Sequence, residues 1–497
     1  MFLQGPRGQG GGRCSWSFLA LCRLLSTFSQ YTGRLRANHG RGVGMIKRFL
    51  FILYISAVFQ LPLAQSVVGQ SLRELVSDLF TFGSCDEVLC LDLVNGHGDH
   101  YSPNRVAQNG SMLFFFEDGF TNMLGTVPAP AMGGDLIGYE DENGDLVPTS
   151  FGPIFAERAE TLGSGRFFVG LQTSAFSVSN FNGAPIDRVL FNFAHVNSHP
   201  LSAVDDPALA GRRLDERDIF QVRTALDLNV VVATTVLTAG LTSFMDIGVA
   251  IPVVRTRLKG TSNAQILALD PAYQHRFGGT STDPVVHSSS SVNGTATGIG
   301  DVSARLKINL VGGTTRNQSP STVGAAFMAD VLLPTGDADE FLGLGAGMVR
   351  ALAIVSGRWG GISPHLNAGY LLRQGDGRPD AFLGTIGLDA RASDHMTFAL
   401  DLISQWEHDV PKYTHPGPIS LPRERAETFY DPQIMLEPSS IPGLNSPKKR
   451  RALDMAVGLK FRIGSDMLLV TNALVPVRNV GLRPDMMWTL ALQSAFR

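Results

Sequence analysis

From residue 165 onward, apolar and polar side chains alternate at every second position over runs of about 11 to 16 residues. In the run 301–310, Leu306 and Leu310 fall on one face, whereas Arg305 and Lys307 fall on the other. Successive side chains of a β-strand point to opposite faces, so the pattern predicts strands with one apolar and one polar face. The same alternation recurs in three other clear runs, at 220–232, 396–407 and 455–463.

This alternation suits a soluble β-sandwich as well as a membrane barrel, and three features favour the barrel. The runs exceed the roughly five or six residues of an ordinary strand, and about ten tilted residues cross a bilayer. The connections alternate between short and long, as in outer-membrane barrels. The chain also carries a predicted signal peptide. We therefore expect an all-β fold: an antiparallel transmembrane β-barrel of about twelve strands, preceded by a mixed helix and loop segment.

Turn signals divide the barrel region, 165–497, into twelve strands whose ends alternate between the two sides of the membrane. The short turns are expected to face the periplasm. Long loops on the other side are expected at 181–216, 261–298 and 410–449. The segment 186–196 also alternates, but a thirteenth strand would break the even count of bacterial barrels, so we place it in the first long loop. The expected strands are 165–180, 217–238, 244–260, 299–311, 321–334, 345–357, 361–374, 380–391, 396–409, 450–463, 466–478 and 484–496.

The N-terminal region is expected to direct export. Residues 1–69 hold eight basic residues and no acidic ones. A signal peptide is predicted at 45–69, with the apolar run Phe49–Phe59 as its central region. Residues 1–44 are then interpreted as a mis-called start or an extension. A single membrane anchor and an organelle transit peptide are the alternatives for this region.

Residues 70–164 alternate poorly and are expected to form a periplasmic or plug segment. Ser71 and Glu74 have capping-box spacing at the start of a predicted helix over 71–82. A segment of this size is large for a twelve-stranded lumen, so we expect partial insertion by 151–164. Cys85 and Cys90 are expected to form a small disulfide loop in an exported chain; a metal pair or a catalytic thiol is the alternative.

Charged and polar side chains on the faces opposite the apolar ones are expected to point into the lumen. They can brace a closed barrel through salt bridges, or they can line a polar path for a solute; the pattern allows both. The predicted lumen-lining residues are Arg223, Asp227, Asn229, Asp301, Arg305, Lys307, Asp330, Arg350, Asp389, Arg391, Asp401, Gln405, Glu407, Lys460 and Arg462.

Other chemistry finds little support in the sequence. Without residues 1–69 the chain has 33 basic against 44 acidic residues, a net charge of −11, which argues against nucleic-acid binding. The chain contains no GxSxG nucleophile motif, and no catalytic residue is predicted. The pair His97 and His100 is interpreted as loop polarity, and His195 has no ligand spacing. No metal site and no cofactor are therefore expected.

Five segments resemble the outer-membrane proteins grouped with the meta-pathway of phenol degradation. The resemblance covers most of 151–497. It implies a signal peptide, an outer-membrane barrel of about this size, and the passage of aromatic or other hydrophobic compounds, with the outer-membrane fatty-acid channels as the nearest functional comparison. The segments are FGPIFAERAETLGSGRFFVG (151–170), DIGVAIPVV (246–254), GIGDVSARLKINL (298–310), VLLPTGD (331–337) and HLNAGYLL (365–372).

Three functions follow from these expectations. The first is a channel in the outer membrane of a Gram-negative bacterium for passive passage of small hydrophobic or aromatic solutes. The second is a structural or adhesive surface barrel with a closed lumen, and the third, least supported, is an outer-membrane enzyme. Expected partners are outer-membrane lipid, a hydrophobic small molecule, and the barrel-assembly machinery through the C-terminal strand. That strand carries Trp488 and Phe496 on one face, like the assembly signal of such barrels, although Arg497 follows Phe496.

Overall fold

A computed structural model describes most of the chain after residue 69. The described residues are 70–82, 87–92, 98–126, 131, 139–140, 146–147, 150–195, 218–267, 275–280, 282–312, 321–375, 378–408, 418–421, 434–442, 450–464 and 467–496. The expected signal peptide and upstream extension, together with Cys85, His97 and Arg497, lie outside them. In this part of the chain no helix has the length and apolar character needed to span a membrane.

Twelve antiparallel strands close into a barrel, as predicted. Each strand pairs with its neighbours in sequence, and the first strand pairs with the last, Phe167 lying opposite Phe496. The strands are β1 Phe167–Phe181, β2 Ile219–Gly240, β3 Met245–Leu267, β4 Val302–Val311, β5 Ser321–Leu333, β6 Met348–Trp359, β7 Ile362–Arg373, β8 Ala381–Ser393, β9 Met396–Glu407, β10 Arg451–Ile463, β11 Met467–Arg478 and β12 Leu482–Phe496. Closure gives each of the twelve strands a hydrogen-bonded partner on both sides, as a barrel that spans a membrane requires.

One side of the barrel wall is much taller than the rest. β2 has 22 residues and β3 has 23. A strand at His287–Ile299 pairs with β3 from Val253 to Gln265, directly beyond the section that pairs with β4. Much of the loop expected at 261–298 is therefore strand; its run of small polar residues has no apolar face that a sequence pattern could show.

Short strands occupy the other connections at the same end of the barrel. Val189–Phe193 pairs with the first residues of β2, from Phe220 to Thr224, so the described part of the alternating segment 186–196 lies outside the ring of twelve, as predicted. The remaining short strands in these connections are Ala184–Pro185, Gly278–Gly279, Pro284–Val285, Ile419–Leu421 and Ile434–Leu436, while Tyr139–Glu140 pairs with Leu146–Val147 before β1. We call this the long-loop end and the opposite end the short-turn end.

The outer face of the barrel carries an apolar belt. On β7, Ile362, Leu366 and Leu372 point outward, and each exposes about half of its side-chain surface. These residues span eleven positions, close to the 9 to 11 or so that cross a bilayer. Phe382 and Trp406 lie opposite each other near the long-loop end, at the level where aromatic residues line membrane interfaces.

The outer face of β3 marks the edge of this belt. Ile247 and Ile251 are exposed apolar residues, whereas Arg255, Arg257 and Lys259 continue the same face beyond them and are also exposed. Outward side chains of one strand thus change from apolar to basic between Ile251 and Arg255. The taller wall therefore projects above the apolar belt into water.

Two helices lie at the long-loop end, inside the taller wall. Helix α1 is Leu72–Asp78 and helix α2 is Ala107–Met123, with 3-10 turns at Leu124–Thr126 and Ile186–Arg188. Ser71 and Glu74 form the predicted capping box of α1. A Cβ atom at Gly294 would lie 2.4 Å from the Leu75 side chain, so this glycine lets the strand His287–Ile299 approach α1 closely.

The apolar faces of the two helices meet the inner face of the taller wall in the main hydrophobic core. Phe80, Phe116 and Phe120 are fully buried, and Phe80 lies edge-on to Phe191 with 5.4 Å between ring centroids. On the wall side, Leu228 is also fully buried. In this region the barrel is filled by packed apolar side chains.

The segment 150–165 runs through the barrel at the short-turn end before β1 begins. Its contacts reach inward side chains around most of the circumference, from Thr397 on β9 to Asp246 on β3. A Cβ atom at Gly240 would lie 2.0 Å from the carbonyl oxygen of Gly163, so the backbone of β2 and that of the segment touch. We call residues 150–165 the plug.

Candidate functional site

Between the two helices and the plug, the lumen holds a cavity of about 260 Å³. Leu124 and Gly125, at the end of α2, form part of its long-loop side together with Leu342–Leu344. Phe155 of the plug lies on the opposite side. Inward residues of the strands complete the lining, and polar ones such as Thr234, Asn367 and Thr385 alternate with apolar ones: Val232, Ala250, Pro252, Val254, Leu332, Met348, Leu352, Leu371, Leu383 and Ile403.

A few charged groups interrupt this apolar lining. Asp330 accepts hydrogen bonds from Arg305 and from Arg350. Nε of Arg350 lies 2.8 Å from Oδ2 of Asp330. Asp301 accepts from the backbone N–H groups of Gly336 at 2.9 Å and Leu344 at 2.7 Å. These carboxylates are thus engaged by donors, and Asp301 also holds the loop that covers the cavity. A mostly apolar pocket with a few fixed polar groups is typical of small-molecule sites.

A second, smaller space of about 50 Å³ lies beside the first. Gly125, Leu344 and Gln405 line both spaces, so the two are adjacent. Arg378 and Glu407 line only the smaller one, which lies at the long-loop ends of β7 and β9. The two spaces together mark a route from the long-loop end toward the centre of the barrel.

The plug closes the opposite side, and Asp401 holds its first half. One oxygen of this fully buried carboxylate accepts backbone N–H groups of Ile154 at 3.1 Å, Phe155 at 2.8 Å and Ala156 at 3.2 Å. The other oxygen lies 2.8 Å from Nε2 of His365. A single carboxylate thereby satisfies three consecutive backbone donors that would otherwise be buried without partners.

Buried ion pairs hold the second half of the plug. Arg158 pairs with Asp389, and Glu157 bridges Arg305 and Lys307. These side chains are all at most 5% exposed. Breaking a buried pair by removing one partner typically costs about 3–5 kcal/mol, because the other charge stays buried. The plug is therefore firmly attached to the inner face of the wall.

An asparagine, a serine and one more ion pair add to this attachment. Asn367 accepts from the backbone N–H of Glu157 at 2.7 Å and donates to its carbonyl oxygen at 2.9 Å. Glu160 accepts from Arg358 at 3.0 Å, and Ser356 donates to the same carboxylate at 3.3 Å. Together with the ion pairs, these contacts fix the plug to strands around the short-turn end of the lumen.

The structure places many of the residues predicted to line the lumen beside the two spaces or beside the plug. Three of them, Asp301, Asp330 and Arg350, line the cavity, and Gln405 lines both spaces. Glu407 lines the smaller space, where it pairs with Arg373. The predicted residues that contact the plug are Arg305, Lys307, Asp389, Asp401, Lys460 and Arg462.

Three predictions on β2 were wrong. Arg223 and Asp227 are exposed and Asn229 is half-buried on the outer face, while Leu226 and Leu228 point inward and are buried. The reason is that this half of β2 lies above the apolar belt, where the outer face meets water and the inner face packs on the helices. The usual order of polar inside and apolar outside is therefore reversed.

Arg391 was also predicted to line the lumen, but it lies at the rim of the barrel. It shares the inward-facing phase of Asp389, but it is exposed at the short-turn end and pairs with Asp394 at 3.5 Å. Because β8 ends two residues later, at Ser393, this position belongs to the rim of the barrel.

The sequence analysis missed the plug's own charged residues. Glu157, Arg158 and Glu160 lie in a segment without alternation, so nothing marked one face as buried. Three charged residues fall within the six residues FAERAE, directly before the predicted barrel. Because the inward charges of that barrel need partners of opposite sign, this cluster could have been proposed as their partner.

The predicted disulfide can be checked at one of its two cysteines. Cys90 is disulfide-bonded and buried. Its expected partner, Cys85, lies outside the described residues, so the pairing stays a prediction.

The hydrogen-bonded pairing of β11 with β12 ends early. It runs from Met467, opposite Ser494, to Leu474, opposite Met487. β11 itself continues to Arg478 and remains paired with β10.

Proline and a bulge accompany this interruption. Pro476 and Pro484 cannot donate backbone hydrogen bonds, and the register of β12 against β1 shifts between Pro484 and Met487. Behind the gap, Arg483 pairs with Asp454 at 3.1 Å. Asp454 lines the cavity and Arg483 lines the smaller space, so both spaces reach the interrupted seam.

Comparison with known proteins was made by family model, by sequence and by structure. No protein-family model and no curated protein match the chain. Solved structures match with low similarity. An outer membrane channel from Pseudomonas putida F1 is 12% identical with a TM-score of 0.37, over 68% of this chain and 98% of that one. A Pseudomonas aeruginosa FadL homologue is 10% identical with a TM-score of 0.26, over 67% and 89%.

A third structure is the toluene transporter of Ralstonia pickettii, which is 13% identical with a TM-score of 0.24, over 74% of this chain and 97% of that one. At these values the likeness carries no argument about function, and the barrel assignment rests on the strand pairing itself. The resemblance to the proteins grouped with phenol degradation stays a prediction.

Proposed function

We propose that this protein is an outer-membrane channel for passive passage of small hydrophobic or aromatic solutes. The observation that carries the proposal is the mostly apolar cavity of about 260 Å³ inside the barrel, beside a route to the long-loop end. An apolar cavity of about 150 Å³ suffices to bind benzene in another protein. The cavity described here therefore has room for one small aromatic molecule.

The apolar belt supports a membrane location for the barrel. Exposed side chains such as Leu366, Phe398 and Leu490 point outward from three separate strands. An exposed apolar surface of this extent is stable only when lipid covers it. Bacterial barrels of this kind lie in the outer membrane, so outer-membrane lipid is the proposed surrounding partner. The face of β12 that carries Trp488 and Leu490 also supports recognition of this strand by the barrel-assembly machinery.

The contacts of the plug favour a sideways exit from the cavity. A solute would enter at the long-loop end, pass Gly125 and Leu344, and occupy the cavity. The plug blocks the direct way out through buried ion pairs, whereas the β11–β12 seam lacks pairing beyond Leu474. Opening this seam requires the separation of few backbone hydrogen bonds, and an apolar solute would then meet the apolar belt.

Filling the cavity tests the function. Leu371 lines the cavity and is 6% exposed, whereas its neighbour Leu372 points to lipid and is 50% exposed. Leu371→Trp should reduce both the binding of toluene by the detergent-solubilised protein and its uptake into proteoliposomes by at least tenfold. Leu372→Trp places the same side chain in the membrane and should leave both unchanged. Equal behaviour of the two folded variants would contradict the proposal.

Locking the seam tests the exit. Continuing the register of β11 and β12 by one residue places Val475 opposite Met486, and both are exposed. A disulfide between cysteines at these two positions should abolish uptake but leave binding intact. A disulfide between cysteines at the paired positions Leu469 and Leu492 is the matched control and should change neither. Undiminished uptake by the locked Val475–Met486 variant would refute the lateral route.

The alternative function is a structural or adhesive surface barrel. It shares the closed lumen and the tall wall, but it assigns no role to an apolar cavity. The two functions are separated by binding: a surface barrel shows no saturable binding of small aromatic molecules that Leu371→Trp removes.

A further inference from the structure

Three histidine rings converge at the long-loop end, away from the cavity. His100 lies just before α2, His195 follows the strand Val189–Phe193, and His275 precedes the strand Gly278–Gly279. Nδ1 of His100 is 2.8 Å from Nε2 of His195, and Nε2 of His275 is 3.0 Å from the same atom. Three segments remote in sequence thus bring one nitrogen each to a single point.

Hydrogen bonding within the cluster does not account for this geometry. An imidazole nitrogen carries either one proton or one in-plane lone pair. Nε2 of His195 can therefore make one good hydrogen bond, yet it has two ring nitrogens within 3.0 Å. A cation at the point of convergence would use a lone pair from each of the three nitrogens. Coordination, unlike hydrogen bonding, gives all three atoms the same favourable role.

A buried carboxylate orients one of the rings. Oδ2 of Asp218 lies 2.9 Å from Nδ1 of His275, and both side chains are at most 3% exposed. A proton on Nδ1 that points to Asp218 leaves the lone pair of Nε2 directed at the cluster. A carboxylate that accepts from the far nitrogen of a ligating histidine is the usual second partner in zinc sites.

Burial and packing complete the arrangement. His100 and His275 are buried, and the ring of Tyr101 lies edge-on to both His195 and His275, with centroids 5.2 and 5.5 Å away. The rings are therefore held in place by their surroundings, so a bound ion would meet ligands already oriented.

We propose that His100, His195 and His275 bind one divalent transition-metal ion, and Zn²⁺ in particular. Three neutral imidazole nitrogens suit zinc, with water in the fourth tetrahedral position. The ion would fasten the segment before α2 to two connections of the barrel, and its role is structural. The spacing of the histidines in the sequence does not predict the site, because His100 and His195 are 95 residues apart and His195 and His275 are 80 apart.

Zinc content tests the proposal directly. The untagged full chain, folded in detergent and treated with EDTA, is dialysed against micromolar Zn²⁺, and the bound metal is measured by mass spectrometry. We expect one zinc per chain in the wild type and none in His195→Ala or His275→Ala. His395→Ala changes an exposed histidine at the short-turn end and should retain the metal. Wild-type protein without zinc, or alanine variants that retain it, would overturn the proposal.

A conservative substitution separates loss of zinc binding from loss of folding. Asp218→Asn keeps the size of the side chain and all three ligands, and it should weaken zinc binding by about 10- to 100-fold through the orientation of His275. Cobalt supplies a second readout: wild-type protein loaded with Co²⁺ should show the visible absorption of tetrahedral coordination. Altered migration of the folded barrel in gels without heating identifies any variant that fails to fold. Unchanged zinc affinity in folded Asp218→Asn would exclude the positioning role of Asp218.

Discussion

Asp401→Ala should release the plug from the barrel wall. In the wild type, Asp401 accepts the backbone N–H groups of Ile154, Phe155 and Ala156, and all of these contacts would be lost. The contact with His365 lies within the wall and exists whether or not the plug is docked. Of the contacts that Asp401 makes, only the three backbone bonds therefore distinguish the docked plug from the released one.

The expected effect follows from these three bonds. A hydrogen bond to a charged group contributes about 1.5–3 kcal/mol. The three donors share one oxygen, so we count them as about two such bonds, or about 3–6 kcal/mol. At about 1.4 kcal/mol for each tenfold change, the released state should become roughly 10²- to 10⁴-fold more populated.

Hydrogen exchange measures this change at positions where the substitution leaves the local hydrogen bond intact. The amides of Glu157, Ala159 and Leu162 bond to other acceptors, on Asn367, Ser356 and Asp246, and exchange only when the plug leaves. Their exchange should accelerate by the same factor, and brief ion currents should appear in planar bilayers. The matched control is Asp227→Ala, because Asp227 is exposed on the outer face. Wild-type protection of these three amides in folded Asp401→Ala would refute the reasoning.

Three further predictions concern other parts of the chain. Phe80→Ala should destabilise the packing of the helices by about 3–5 kcal/mol, measured by denaturant-induced release of α1 and α2, because this buried ring leaves a cavity. Gly240→Ala should expose the end of the plug to limited proteolysis, because its Cβ would lie 2.0 Å from the Gly163 carbonyl oxygen; an unchanged digest would contradict this contact. Burial raises the pKa of Glu117, although Ser77 donates to it at 3.0 Å. The folded state therefore keeps the proton of Glu117 to a higher pH than the unfolded state does. The stability of α2 should fall as the pH rises through this raised pKa, which a pH series of thermal melts measures, and Glu117→Gln should show no such fall.

The barrel itself could be predicted from alternation because lipid and lumen impose opposite demands on the two faces of each strand. Arg305 and Leu306 show this relation: Arg305 is buried against the plug, and Leu306 is exposed on the outer face. The same rule failed at Asp227, since it presumes lipid outside. Above the apolar belt, water replaces lipid, and only the strand lengths and the helices inside reveal the reversal.

The cavity and the histidine cluster could not be predicted by spacing. The cavity exists because α2 and the plug stop short of each other, which depends on packing over the whole lumen. The three histidines are brought together by loops that no periodic pattern connects. In both cases the decisive quantity is a distance between segments that are remote in the chain.

The position of the plug also constrains the order in which the molecule is assembled. The helices α1 and α2 lie at the long-loop end and the plug lies inside the barrel at the short-turn end, and all three precede β1 in the chain. Phe151 then packs against Leu468 of β11 and Ala491 of β12, the last strands to be synthesised. The ring therefore closes around a segment that the same polypeptide delivered first. We therefore expect the joining of the first strand to the last to be coupled to the seating of the plug, because a ring that closed first would leave the plug outside.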